Sequence, residues 1–592
     1  MRRLLLLALL LVACRATEPL DDDDATTLDD DDSSDDDDVG DDDDDVGDDD
    51  SGDDDDTTVP PGPIAVDPPP APDFPATVGT VSVTLVTADA PFAGTDSNAL
   101  SLCLTDTDCF TLNIADVNDQ ERGATDVYHF EGAALPRASI DRVELRSANG
   151  SDRYEPSCLA VQLDGEPVYC SPLSGLYFGE EGDELASWID PQGLHLGCTT
   201  CDPAVLTHGP MLGAPRVDGA RVWARTDATR LVGLEVGSAA DLADAVTVDW
   251  AWPSPLDDYA AHLSATNLPA GSDWWGAVTV DGVRQGAPFP IAVPEAAGPL
   301  TFAFGSCSKV ESQPIFATID ALDPDLFVFV GDNHYGNTDV VDALRWNYRW
   351  SLERPERAAL LRATPTLATW DDHDYVGNNT DATAPGRANA LRVFQEYWAN
   401  PGAGAEGIPG VFTTAAVGAV EFFLLDDRYH RGLDASVLGG PQQQWLLDRL
   451  AASDATFKFV VTGSQWTADG SSDSWAPYVD ERDVILDFVR DQGISGVVLL
   501  SGDVHRSEFR VIERASAGGY DLPELTSSPL ANSNSPCPNE AEILDCVDDR
   551  DLFVAVTVDP TAFDPTLVAT MHDVSGATLA TYSTTLSALT VP

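Results

Sequence analysis

DLFVFVGDNHY, residues 325–335, decides how the carboxy-terminal half of this 592-residue chain is read. Leu326 to Val330 run apolar without alternation, the pattern of a strand buried on both faces. The run stops at Gly331 and delivers Asp332, Asn333, His334 and Tyr335 at its carboxyl end. The same design recurs. LTFAFG (300–305) leads to Ser306-Cys307, PTLATW (365–370) to Asp371-Asp372-His373, and VEFFLL (420–425) to Asp426-Asp427-Arg428. FKFVVTG (457–463) leads to Ser464-Gln465, and GVVLLS (496–501) to Gly502-Asp503-Val504-His505. Between these runs lie amphipathic segments with helical spacing, at 386–399, in PQQQWLLDRLAA (441–452) and in ERDVILDFVRDQ (481–492). Strand-like and helical segments in alternation predict an α/β (α+β) domain over 300–592 with largely buried sheets. The carboxyl edge of such sheets is where sites assemble.

The residues at those six ends are carboxylates, imidazoles, a phenol and a thiol. Carboxylates gathered without a cation raise one another's pKa and destabilise the fold. Bound multivalent cations reverse that effect. Thiolate, phenolate and imidazole suit iron or another transition metal, and the surplus oxygens suit Ca²⁺, Mg²⁺ or Mn²⁺. Two unlike metals sharing one Asp would satisfy both sets and would be equipped for in-line phosphoryl displacement by an activated water.

Upstream of residue 300 the texture is different. Residues 78–195 and 203–296 carry short alternating runs such as TVSVTLVTA and ARVWARTDA, broken by Gly, Asp, Asn and Pro, and predict two β-sandwiches. The chain opens on MRRLLLLALLLVAC, a charged start and an apolar stretch too short to span a bilayer, read as a secretory signal over 1–13. Residues 14–77 read as a disordered tether, first acidic and then Pro-rich. The formal charge is −70, and residues 21–56 supply 24 Asp with no Lys or Arg. No nucleic-acid-binding surface is expected of such a chain. Ten cysteines fit an exported protein. Cys103 and Cys109, Cys158 and Cys170, Cys198 and Cys201, and Cys537 and Cys546 are close neighbours, plausible disulfides of undetermined connectivity. Cys307 is left over.

Several stretches resemble known families. The end of the leader resembles a bacterial lipobox, which implies lipidation of Cys14 and an exported lipoprotein at the outer membrane or cell surface. AGTDSNALSLCL (93–104) and NDQERGATDVYHFEG (118–132) resemble the PLAT/LH2 domain, whose members dock on lipids or proteins and sometimes bind Ca²⁺. FGSC, FVFVGDNHY, WDDHD, VEFFLLDDRYHR, LGGPQQQWL and LLSGDVH occur in the order and character of PhoD-like alkaline phosphatases of the metallophosphoesterase superfamily. That resemblance covers about 203–590 and takes the 203–296 segment as the family's amino-terminal sandwich. It implies Fe³⁺ and Ca²⁺, with other divalent metals open. Cys307 and Tyr335 take the iron-ligand positions, Asp332 bridges, Asp503 and His505 complete the coordination, and Asp372 serves the second metal. His373 takes the position that stabilises the transition state or protonates the leaving oxygen.

The chain departs from the pattern at Asn333 and His334, where the family has apolar or aromatic residues. His334 is expected as a polar rim, with a substrate contact or an extra ligand as alternatives. Arg428 is expected either to pin a carboxylate or to meet the substrate phosphate. Asp371 is open between ligand and supporting residue, Asn378 and Asn379 are candidate Ca²⁺ oxygens, and Gln465 is placed toward the site. The reading is a lipid-anchored phosphoesterase acting on phosphate mono- or diesters. Its alternatives are a phospholipase D-like activity, or a surface lipid- and protein-binding lipoprotein without catalysis.

Overall fold

The apolar runs form strands because their alternate residues serve two cores. In the strand Leu326–Val330, Leu326, Val328 and Val330 enter the core between two sheets, while Phe327 and Phe329 enter a second core under helices. Leu300–Gly305 divides in the same way, with Phe302 and Phe304 on one side and Ala303 on the other. Each of these large side chains is fully buried and contributes about 1.5–3 kcal/mol.

The computed structural model describes residues 62–592, apart from 89–98, 116, 118, 122, 149–153, 174, 179–184, 197–204 and 468–471. Cys14, the acidic tract, the AGTDSN phrase, Cys198 and Cys201 lie outside the described residues.

Two mixed sheets build the 300–592 region. In the first, Leu300–Gly305, Leu326–Val330 and Thr366–Thr369 run parallel, and the strands Leu552–Asp559, Thr566–Asp573 and Thr578–Thr585 continue it antiparallel. In the second, Val420–Leu424, Phe457–Val461, Val497–Ser501 and Leu522–Thr526 run parallel. Phe302 packs edge-on against Phe422 and Phe459 where the sheets face each other, with ring centroids 5.0 and 4.8 Å apart. Helices Ile315–Leu322, Val341–Leu352, Pro355–Ala363 and Arg387–Tyr397 contribute to the second core, beside the first sheet. Helices Gly439–Ala452 and Val479–Asp491 place Leu446, Leu450, Ile485 and Val489 in the core shared by both sheets. All three helical segments read from the sequence are helices.

Residues 77–189 form two four-stranded antiparallel sheets around Val81, Val83, Leu85, Leu100, Leu102, Leu145 and Leu159. Helix Val341–Leu352 joins that core through Ala343 and Trp346. The 203–296 segment is split between two sheets. Leu206–Arg216, Gly219–Thr226 and Ala260–Ala265 extend the first of the two mixed sheets to nine strands, through the pairing of Gly213 with Thr366. Its other four strands form their own sheet over Leu234, Val278, Phe289 and Ile291.

The tether expected to residue 77 ends earlier. From residue 62 the Pro-rich stretch lies along the edge strand Val246–Ala251, where Val66 N–H donates to Thr247 O (2.9 Å) and Trp250 Nε1 to Val66 O (2.7 Å). An edge strand has unpaired backbone groups, and an extended Pro-rich segment can supply partners for them. Cys103–Cys109 and Cys537–Cys546 are disulfides, Cys158 and Cys170 are both disulfide-bonded, and Cys307 is free and buried.

Candidate metal centre

The carboxyl ends of the parallel strands meet at one edge, and the backbone there is strained. Cys307, Asp332, Asp503 and His505 all have left-handed conformations, with φ of 62°, 53°, 67° and 56°. Non-glycine residues in that region each cost roughly 1 kcal/mol or more and persist where their surroundings over-determine them. The neighbouring loops are packed against one another. At Gly331, with φ of 95°, a Cβ would lie 2.5 Å from Asp371 Cβ; at Gly502 it would lie 2.5 Å from Ser306 Oγ and 2.8 Å from Val330 O. No side chain fits at either place.

Three overlapping donor groups result, each with its ligand atoms within 4.8 Å of one another: Cys307, Asp332 and His505; Asp332, Asp372 and His373; Asp371, Asp372 and Asp503. Asp332 belongs to the first two and Asp372 to the last two. Cys307 Sγ lies 3.4 Å from Asp332 Oδ2, and Tyr335 donates its hydroxyl to the same oxygen at 2.8 Å. Tyr335 Oη is 3.3 Å from His505 Nε2. The six residues taken from the sequence as metal ligands are therefore brought together.

His373 stands beside them, its ring 4.1 Å from that of Tyr335 and its Nε2 3.9 Å from Asp372 Oδ1. Its Nδ1 donates to Asn337 Oδ1 at 2.5 Å, the tautomer assigned by that contact. Nε2 of the neutral ring then keeps its lone pair.

The electrostatics are those of a cluster of acids without enough positive charge. Burial, reinforced by Asp372, Asp374 and Asp503, pushes the Asp332 carboxyl well above the carboxylate range. Burial with Asp473 and Asp372 brings Asp503 up to about 8. Burial also raises the Cys307 thiol and the Tyr335 phenol, helped by Asp332 in both cases. Asp372 goes the other way: Arg428 and His373 outweigh the effect of its burial. Asp371 Oδ2, Asp372 Oδ1 and Asp427 Oδ1 are buried without a hydrogen-bond partner. Orphan acceptors among convergent carboxylates, beside a thiol, a phenol and an imidazole, are a donor set that fits two multivalent cations.

Several residues take different places from those expected. His334 is no rim: it is fully buried, its ring edge-on to Tyr348 at 4.3 Å, with Nδ1 accepting from Gly336 N–H. Burial and Arg357 hold it neutral, with a pKa of about 3. Arg428 is also fully buried, forked onto Asp473 at 2.7 and 3.0 Å and paired with Asp371, so it pins carboxylates and does not reach the opening. Asp371 is thus a supporting carboxylate as well as a member of the third donor group. Asp374 accepts from the backbone N–H groups of His334 and Asp371 and from Asn333 Nδ2, bolting two loops together. Asp426 accepts from Trp370 Nε1 and from the backbone of Arg428, Tyr429 and Val411. Asn379 holds Asp372 through its backbone N–H at 2.6 Å. Gln465 is buried and donates to Glu508 and Thr526.

Two residues were missed from sequence. Asn337 orients His373, and Asn532 Nδ2 donates to Tyr335 Oη at 2.7 Å while lying 3.2 Å from His505 Nε2. Asn532 follows a seventh parallel strand, Leu522–Thr526, whose Pro523 and Glu524 hide it from a search for apolar runs. Only its polar ending, SSPLANSN, could have marked it.

Residues 302–550 match the family model of PhoD-like phosphatases. Alkaline phosphatase D of Bacillus subtilis (strain 168) is 24% identical over 269 residues, covering 35% of this chain and 46% of that protein. The chain therefore spans about half the length of this curated relative. Among solved structures, PhoD aligns with a TM-score of 0.54 at 18% identity, covering 63% of this chain and 88% of the other. That likeness shows a common fold. The purple acid phosphatase PPD1 of yellow lupin (Lupinus luteus) aligns over 85% of this chain and 90% of its own at 12% identity, with a TM-score of 0.49.

Proposed function

We propose, from the match of residues 302–550 to the PhoD-like phosphatase family model, that this chain hydrolyses phosphate mono- or diesters at a two-metal site. The observation that carries the reading is the sharing of Asp332 and Asp372 between donor groups that also hold orphan carboxylate oxygens. Cys307, Tyr335, Asp332 and His505 would hold iron; Asp332, Asp372 and Asp503, all oxygen donors, would hold Ca²⁺. Bound there, the cations supply Lewis acidity toward the phosphoryl oxygens and toward water.

The chain's own residues divide the remaining work. Asn337 fixes the imidazole of His373, which presents Nε2 beside Asp372 and, when protonated, gives that proton to the departing ester oxygen. Asn532 keeps the Tyr335 hydroxyl and His505 Nε2 on one side of Asp332. Arg428 pairs with Asp371 and Asp473 from behind and, with His373, lowers the Asp372 carboxyl against the effect of its burial.

We further read the chain as an exported lipoprotein anchored at Cys14, with the 77–189 sandwich as a PLAT-like docking domain. No helix of the described residues is long and apolar enough to cross a membrane.

Elemental analysis of the purified protein, beside turnover of a phosphoester panel that includes a phospholipid, tests the reading. We expect Cys307→Ala and Asp332→Ala to abolish both activity and bound iron. Full retention of iron and turnover in either variant would refute the assignment. An iron- and calcium-loaded wild type inert toward every ester would favour a binding lipoprotein instead.

A further inference from the structure

The sequence holds only two lysines, Lys309 and Lys458, and the other 29 of its 31 basic residues are arginine. Lys458 is a buried strand residue whose Nζ donates to the carbonyls of Ala455 and Ser495 at 2.6 and 3.4 Å. Lys309 is exposed, two residues beyond Cys307. Its backbone is fixed, since its N–H donates to Ala531 O at 2.9 Å next to the Ser308–Ala531 bridge. Its ammonium lies over the Tyr335 ring, 5.2 Å from the centroid, and near enough to His373 and His505 to depress their basicity alongside burial. Among the described residues it has no ion-pair partner, in a chain with 101 acidic residues.

The arginines nearest the cluster are differently placed. Arg428 and Arg431 are buried behind it and committed to Asp473, and buried Arg357 donates to Asn333 O. A guanidinium near these carboxylates forks onto them, as Arg428 does. An ammonium is a compact charge that stays available to a ligand. The partly exposed groups that the structure relates to Lys309 are the Tyr335 ring and the imidazoles of His373 and His505.

We propose that Lys309 is the substrate-specificity residue of this site, meeting a non-bridging phosphoryl oxygen and favouring the dianion of a phosphate monoester over a singly charged diester. The proposal rests on the phosphoesterase reading above. Cations held among the carboxylates would serve either class of ester. A monoester brings one further negative charge that the diester lacks, and Lys309 is the exposed positive side chain placed to receive it.

The test compares full-length, metal-replete wild type, Lys309→Met and Lys309→Glu on p-nitrophenyl phosphate and bis(p-nitrophenyl) phosphate, which share a leaving group. For Lys309→Met the monoester kcat/KM should fall about tenfold, mostly through KM, the size of one charge-assisted hydrogen bond at an open site. The diester should change less than about twofold, and Lys309→Glu should lose more than Lys309→Met on the monoester alone. Binding of inorganic phosphate, measured by calorimetry, should weaken by a similar factor. Equal losses on both esters, or an unchanged monoester KM, would overturn the proposal. If wild type turns over neither ester, the phosphoesterase reading fails; calorimetry then decides for Lys309 separately, and equal phosphate affinity in wild type and Lys309→Met overturns it.

Discussion

Asp258 is the residue whose removal should cost most outside the candidate metal centre. Its carboxylate is fully buried and accepts from Arg225 Nη2 and Nε (2.7 and 3.0 Å), Arg349 Nη1 (2.7 Å), His129 Nε2 (2.9 Å) and the Tyr397 hydroxyl. His129 belongs to the amino-terminal sandwich, Arg225 to the middle strands, and Arg349 and Tyr397 to helices beside the catalytic-region sheet. One carboxylate thus ties three segments. Asp258→Asn keeps the shape but leaves two guanidiniums, 2% and 5% exposed, without their counter-charge and turns an amide NH₂ toward donors. Breaking a buried pair in this way costs about 3–5 kcal/mol. The check is denaturant unfolding followed by near-UV circular dichroism and tryptophan fluorescence. The pH dependence gives an internal control. Burial would raise the Asp258 carboxyl, but Arg225 and Arg349 outweigh it and hold it well below the usual range. Its contribution is therefore complete above the unfolded carboxylate pKa of about 4 and is lost as pH falls through the folded value. The wild-type advantage over Asp258→Asn should be constant from pH 8 to 5 and narrow below about pH 4. A loss under about 1 kcal/mol at pH 7, or a gap that widens in acid, would refute the ion-pair account.

Other outcomes follow from the same geometry. His373→Ala should lower kcat by about 10²–10⁴ on esters with poor leaving groups, and far less on p-nitrophenyl esters, which need no proton; equal losses on both would argue against a proton donor. Asn337→Ala should reproduce part of that selective loss while iron content stays at the wild-type level. Arg428→Met should destabilise metal-free protein by about 3–5 kcal/mol, because Asp371 and Asp473 lose their counter-charge, and added Ca²⁺ should restore part of it; a thermal midpoint insensitive to metal in this variant would count against a cation among these carboxylates. Burial, with help from Arg221, lowers the largely buried His262 to about 4. The unfolded chain takes up that proton first, so stability holds above pH 6.5 and falls below it, by up to about 2 kcal/mol at pH 5. His262→Gln should remove that portion of the acid sensitivity in unfolding midpoints.

What the sequence revealed and what it hid separate along physical lines. The six strands ending in donors were legible because a strand buried on both faces needs an unbroken apolar run. Asp, His, Tyr and Cys crowded at the ends of several such runs are costly to hold together unless a cation binds them. Cys307, Asp332, Tyr335, Asp372, Asp503 and His505 are local to those ends, so the donor cluster could be read from one-dimensional pattern, whereas their assignment to individual metals is what the family resemblance implies. Asn337 and Asn532 could not, because an amide in a loop looks the same whether it faces water or orients an imidazole. The burial of His334 and Arg428 was hidden for a related reason. Polar residues after a strand suggest an opening, yet here Tyr348 covers the first and Asp371 and Asp473 take up the second.

The Asp258 hub shows the harder limit. In the sequence it is the second acid of LDDY, an unremarkable turn. Its partners lie 129 residues upstream at His129 and 33, 91 and 139 residues away at Arg225, Arg349 and Tyr397. Nothing in a local window relates these positions, and the hydrophobic patterns on either side remain satisfied whether or not the segments meet. The same blindness divided residues 203–296 from the catalytic region, although Gly213 pairs with Thr366 and carries the sheet across. Within one chain, then, chemistry that depends on residues adjacent to a strand end can be read early. Chemistry that joins separately patterned segments needs the fold, and the Asp258→Asn measurement asks how much of this protein's stability is of that second kind.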